Sequence, residues 1–158
     1  MSERFSTVFS YCATQDRSGE GCRLMATITN RVLTIDHDNR KKLANVKVTC
    51  NVNFTGTEIC LMKACPGQRM FKLKCELWAD DPEWLGGDEK VWTFSDVYYF
   101  PDPSPTPTEA RQFLVTLGEG VLDEDWWGED EIYGKLILQN LFTMTTVAKK
   151  TNTVHHSF

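Results

Sequence analysis

Val46-Lys47-Val48-Thr49-Cys50-Asn51-Val52-Asn53-Phe54 alternates apolar and polar side chains without a break. A period of two puts every second residue on one side of an extended chain, so this stretch predicts a half-buried strand. Residues 69–79 repeat the pattern: Phe71, Leu73, Cys75 and Leu77 alternate with Lys72, Lys74 and Glu76, after a turn marked by Pro66-Gly67. Upstream, 22–29 and 31–36 read as two short strands, and Asp36-His37-Asp38-Asn39 as the turn after them. Downstream, 90–100 is rich in β-branched and aromatic residues, 112–117 is a further strand, and 132–148 has room for two. The best helical window is Pro107 to Leu117, opened by Thr106 or Thr108 with Glu109, but Val115, Thr116 and Gly118 weaken it.

About eight short strands without intervening helices predict an all-β fold, an antiparallel β-sandwich. The chain has 158 residues, which suits one domain over 1–158, with loose ends at 1–10 and 149–158. The segment 101–110 holds four prolines and cannot lie in a central strand, so it is expected to cross between sheets as a surface loop.

Composition narrows the classes. The chain is 41% hydrophobic and 25% charged, which excludes disordered and collagen-like chains. No apolar run reaches the length of a membrane-spanning helix. The net charge of −5 argues against bulk attraction to nucleic acid, and no nucleic-acid partner is expected. That total hides an asymmetry. Residues 1–79 carry 12 basic against 7 acidic side chains, a net of +5, whereas 80–158 carry 5 against 15, a net of −10.

The six cysteines, Cys12, Cys22, Cys50, Cys60, Cys65 and Cys75, form no CxxC pair. Their even number, and the polar segments flanked by Cys12/Cys22 and Cys60/Cys65, predict two or three disulfides and a secreted or extracellular protein. The first thirty residues lack an apolar signal core.

The acid is concentrated in two runs. One holds Asp80, Asp81, Glu83, Trp84, Gly86, Asp88 and Glu89. The other holds Asp123, Glu124, Asp125, Trp126, Trp127, Gly128, Glu129, Asp130 and Glu131. Trp84, Gly86, Asp88 and Glu89 match Trp126, Gly128, Asp130 and Glu131 at a constant offset of 42 residues. Seven acids lie within 119–131, with no lysine or arginine among them. Carboxylates this crowded repel one another, and water, a basic neighbour or a cation must offset the repulsion. Calcium suits an all-oxygen donor set on glycine-bearing loops better than magnesium or a transition metal does. The candidate metal ligands are therefore Asp80, Asp81, Asp88, Glu89, Asp123, Asp125, Asp130 and Glu131. Trp84, Trp126 and Trp127 are the candidate partner-binding residues, because a merely solvated loop gains nothing from such large apolar surfaces.

The run Asp123-x-Asp125-x5-Glu131-x2-Gly134 resembles the third calcium loop of C2 domains over about 12 residues. The resemblance implies an eight-stranded antiparallel sandwich, calcium held between loops at one end, and docking on anionic lipid with Trp126 and Trp127 entering the bilayer.

Three functions follow as expectations. The first is a calcium-dependent module contacting membrane or a protein partner through the acidic, tryptophan-bearing loops. The second is a structural or self-associating extracellular or coat protein, its acidic loops meeting the basic 40–74 region of a neighbour. The third is a hydrolase using the clustered carboxylates. Enzymatic activity is the less expected outcome, since no serine elbow, P-loop or dinucleotide fingerprint is present. His37 reads as a turn residue, and His155 and His156 as part of a loose C-terminus.

Overall fold

A computed structural model describes residues 25–80, 87–123 and 130–156. Among the described residues, eight antiparallel strands form two sheets: β1 (Thr27–Asp38), β2 (Leu43–Asn53), β3 (Phe71–Ala79), β4 (Glu89–Thr93), β5 (Tyr98–Phe100), β6 (Thr108–Gly118), β7 (Asp130–Asn140) and β8 (Thr146–His156). The smaller sheet has the order β1-β2-β6. The larger has the order β4-β3-β7-β8, with β5 pairing the first part of β3. This is the expected sandwich.

The two strands that led the reading are the central ones. Val46, Val48, Cys50 and Val52 of β2 face Leu73, Cys75 and Leu77 of β3 across a core that Phe113, Leu136 and Leu138 complete. Each such side chain contributes about 1.5–3 kcal/mol on burial, so the alternation is the main stabilising feature of the chain. Gly134 sits at a bulge in β7, where a side chain would meet Thr151 Cγ2 at 3.1 Å and Val48 Cγ2 at 3.3 Å. Its role is close packing between the sheets.

Several elements differ from expectation. The segments 22–29 and 31–36 form one strand, β1, interrupted by a bulge near Asn30, whose φ is +48°. The stretch 90–100 splits into β4 and β5. The window from Pro107 is strand β6, because its apolar residues Phe113 and Leu117 face the core while alternate residues face out.

A helix lies elsewhere. α1 (Gly56–Ala64) follows β2 directly and opens with a capping box. The Thr55 hydroxyl accepts from Glu58 N–H, and the Glu58 carboxylate accepts from Thr55 N–H. The supposedly loose end from 149 onwards is the second half of β8, hydrogen-bonded to β7 as far as His156. The proline segment does carry the chain from the larger sheet (β5) to the smaller (β6).

The sandwich is closed differently along its two sides. Between the edge strands β1 and β8, the Asn152 side chain accepts from Leu33 N–H (2.8 Å) and donates to Leu33 carbonyl (3.1 Å). One amide thus takes the place of a strand partner along the outer edge of β1, just past its bulge. On the other side, Phe94 and Tyr98 pack against Phe113, and Tyr98 hydroxyl donates to the Gln112 carbonyl.

The thiols correct the disulfide expectation. Cys50, Cys65 and Cys75 are free, and Cys60 on α1 is disulfide-bonded. With three of six cysteines free, two or three bridges are excluded. The physical reason is plain for Cys50 and Cys75, which are core residues of strands and serve as small apolar side chains. Cys12 and Cys22 lie outside the described residues.

Candidate functional site

Strand directions place the described ends of both acidic tracts at one end of the sandwich. β3 ends there at Ala79, β4 begins at Glu89, β6 ends at Gly118 and β7 begins at Asp130. The connections emerge side by side: Ala79 pairs with Ile132, and Asp80 N–H donates to Glu131 carbonyl at 2.7 Å.

Two of the predicted ligands, Asp80 and Asp88, come together, and a lysine stands between them. Lys150 Nζ lies 3.3 Å from Asp80 Oδ1 and 3.0 Å from Asp88 Oδ2. Its ammonium also rests over the Tyr133 ring, 3.9 Å from the centroid. Tyr133 hydroxyl donates to Asp88 Oδ2 at 2.7 Å. That hydrogen bond, and then the lysine, hold the Asp88 carboxyl below the usual carboxylate range. Burial, followed by the bond to Asp88, pushes the Tyr133 phenol up to about 12. Desolvation disfavours the Lys150 ammonium, but its bonds to Asp88, Tyr133 and Asp80 prevail and raise its pKa.

A second knot lies beside the first. Glu119, at the start of a short 3-10 turn (Glu119–Val121), meets His37 Nε2 at 2.9 Å through Oε1 and Lys42 Nζ at 3.0 Å through Oε2. The His37 side chain is only 4% exposed. His156 lies edge-on to it, with ring centroids 5.1 Å apart. His37 is therefore a strand residue of β1 packed inside this end, and His156 is held rather than loose; both correct the expectations above. His155 Nδ1 lies 3.3 Å from Glu131 Oε1.

The other predicted ligands among the described residues do not converge. Glu89 is exposed at the start of β4, Asp123 is exposed after the 3-10 turn, Glu131 is exposed, and Asp130 is buried opposite His156. Asp81, Asp125, Trp84, Trp126 and Trp127 lie outside the described residues. Among the described residues, no group of three or more histidine, cysteine, aspartate or glutamate side chains is arranged to hold a metal ion.

The groups that organise this end are Lys150, Tyr133, His37 and Lys42; none was assigned to a site from the sequence, where His37 reads as a turn residue. Only one signal was available: residues 80–158 have so few cations that Lys149 and Lys150 were natural partners for the acid.

No family model matches the chain, and no curated protein matches it. Among solved structures, an X-ray structure of Northeast Structural Genomics Consortium target SoR45 covers 84% of this chain and 84% of its own, with 9% identity and a TM-score of 0.36. A likeness that slight supports no argument about function. Of the C2 resemblance, the coarser part stands: two antiparallel sheets packed as a sandwich.

Proposed function

We propose that the chain is a binding module without catalytic turnover, and that it engages a basic protein partner through the acidic end of the sandwich. The observation that most supports this is the side-by-side emergence of the two acidic connections, tied by the bond from Asp80 N–H to the Glu131 carbonyl. Asp80, Asp88, Glu119 and Glu131 each already bind a lysine or histidine of the chain itself. A partner's lysine or arginine can replace such solvent-facing cations at small net cost and be steered in by the remaining acid. Trp84, Trp126 and Trp127, which belong to these connections in sequence, supply the apolar anchors in this reading. The bonded Cys60 fits an oxidising, extracellular setting.

Calcium is the second reading, favoured by the same side-by-side emergence and by the C2-like run. It brings Asp123, Asp125 and Glu131 to the ion and an anionic membrane to the tryptophans. Lys150 weighs against it, because an ammonium 3.0 Å from Asp88 competes with a cation at that carboxylate. Melting curves with and without calcium separate the two readings, because a ligand of the folded state raises its apparent stability. The first reading expects an unchanged melting temperature at millimolar calcium. It also expects a lysine-rich peptide to bind, weaken with salt, and be lost on Asp123→Lys with Glu131→Lys. A calcium-dependent rise in melting temperature without peptide binding overturns it in favour of the second.

A further inference from the structure

The outward faces of the two sheets differ in charge. On the smaller sheet, the paired outward positions from Asn45 to Asn53 are mostly threonine, asparagine and small apolar residues, and only Asp36 and Lys47 are charged. On the larger sheet, β3 turns Lys72, Lys74, Glu76 and Trp78 outward, since its alternate residues are buried. Tyr99 lies opposite Lys72, Lys135 opposite Glu76, and Lys90 opposite Trp78.

The rings on this face carry cations. The Arg69 guanidinium sits 4.3 Å from the Tyr99 centroid, with Lys72 at 6.0 Å, and the Lys135 ammonium sits 4.2 Å from Trp78. Ring and cation thus alternate along β3: Tyr99 with Arg69 and Lys72, then Lys74, then Trp78 with Lys135 and Lys90. Two acids border them: Glu76 accepts from Trp78 Nε1 at 3.1 Å, and Asp88 accepts from Tyr133, which lies opposite Trp78.

We infer that this face binds single-stranded nucleic acid, with Lys72, Lys74 and Arg69 on phosphates and Tyr99 and Trp78 as stacking platforms. The acid of the chain is concentrated towards the sandwich end, where Asp80 and Asp88 are already paired with Lys150, and the stretch around Arg69, Lys72 and Lys74 stays basic. A guanidinium stacked on a ring keeps its N–H edges free to donate to phosphate. Side-by-side rings and cations suit a polymer that alternates planar bases with phosphates. A duplex keeps its bases stacked internally, so the rings gain nothing from it. A sulfated glycan offers charge but no bases to stack.

The test is fluorescence anisotropy with a labelled oligothymidylate of roughly 15 nucleotides at about 50 mM salt, where we expect a dissociation constant on the order of 10 µM. The double variant Lys72→Gln/Lys74→Gln is expected to lower the slope of log affinity against log salt by about 1.4, at about 0.7 per phosphate contact. Tyr99→Leu is expected to weaken binding about tenfold at unchanged slope, while Tyr99→Phe retains it. Lys47→Gln, on the opposite face, is expected to leave binding unchanged. Absence of binding overturns the inference, as does an equal loss with Lys47→Gln. So does a heparin oligosaccharide that binds as tightly while Tyr99→Leu has no effect, which would make the face a general polyanion surface.

Discussion

Glu58 and Asp88 are carboxylates at opposite ends of the same sandwich, and the molecule holds them by different means. Glu58 is 1% exposed, and its oxygens accept from Ala26 N–H at 2.9 Å and from Thr55 N–H at 2.8 Å, so backbone groups fix it. It joins the entry into β1 to the cap of α1. Asp88 is 36% exposed and is held by a lysine and a phenol. Backbone donors in a core cannot leave, whereas a half-exposed ammonium exchanges readily with water or another cation. The end built on Glu58 is fixed by the backbone, and the end built around Asp88 is the one we propose for binding.

The contrast breaks most visibly at Glu58. Glu58→Ala leaves two backbone donors without their acceptor and removes the capping box, so a loss of roughly 2–4 kcal/mol is expected in denaturant unfolding. Lys150→Gln or Asp88→Asn, at a partly exposed pair, is expected to cost about 0–1 kcal/mol. Similar losses at the two ends would mean that the acidic end is structural as well.

Acid titration sharpens the same comparison, because the two groups shift in opposite directions. Burial raises the pKa of Glu58, so the folded state disfavours its charge. Its contribution is largest at low pH and falls as pH rises towards that raised value. Asp88 is lowered, so its contribution is present above the ordinary carboxylate range and is lost as pH falls through its folded value. Between roughly pH 6 and 3, the melting-temperature gap between wild type and Asp88→Asn is expected to close on acidification. The gap between wild type and Glu58→Gln is expected to move in wild type's favour on acidification. Parallel trends would contradict the opposed environments.

The smallest effect concerns thiol chemistry rather than stability. Burial pushes the Cys50 thiol up to about 11 and raises that of Cys75 further. Half-buried Cys65 is therefore expected to be alkylated before either of them, as mass mapping of a timed reaction would show. Early labelling of Cys75 would mean that the sheets open readily.

The fold was legible in the sequence where burial imposes a period. β2 and β3 are central strands with one face on the core, and their alternation states this residue by residue. β8 was hidden because it is an edge strand, and Lys149-Lys150-Thr151-Asn152-Thr153 reads as a polar tail when only one side of the strand is covered. α1 escaped because only nine residues carry it, although Thr55-x-x-Glu58 ahead of Ile59, Leu61 and Met62 was a capping signal in plain view. At the candidate site, the need for a neutralising group followed from the crowding of the carboxylates. The identity of the neutralising group did not, because Lys150 lies 62 positions from Asp88 and meets it only through the register of β8 on β7.

The Asn152 amide makes the two long sides of the sandwich unequal. Its paired bonds to Leu33 act as a clasp on the spine of a book, while the opposite side relies on ring contacts and one phenol. Fluctuations that part the sheets should therefore swing about the β1–β8 seam and admit water first past β6, reaching the core at Phe113 before Leu33.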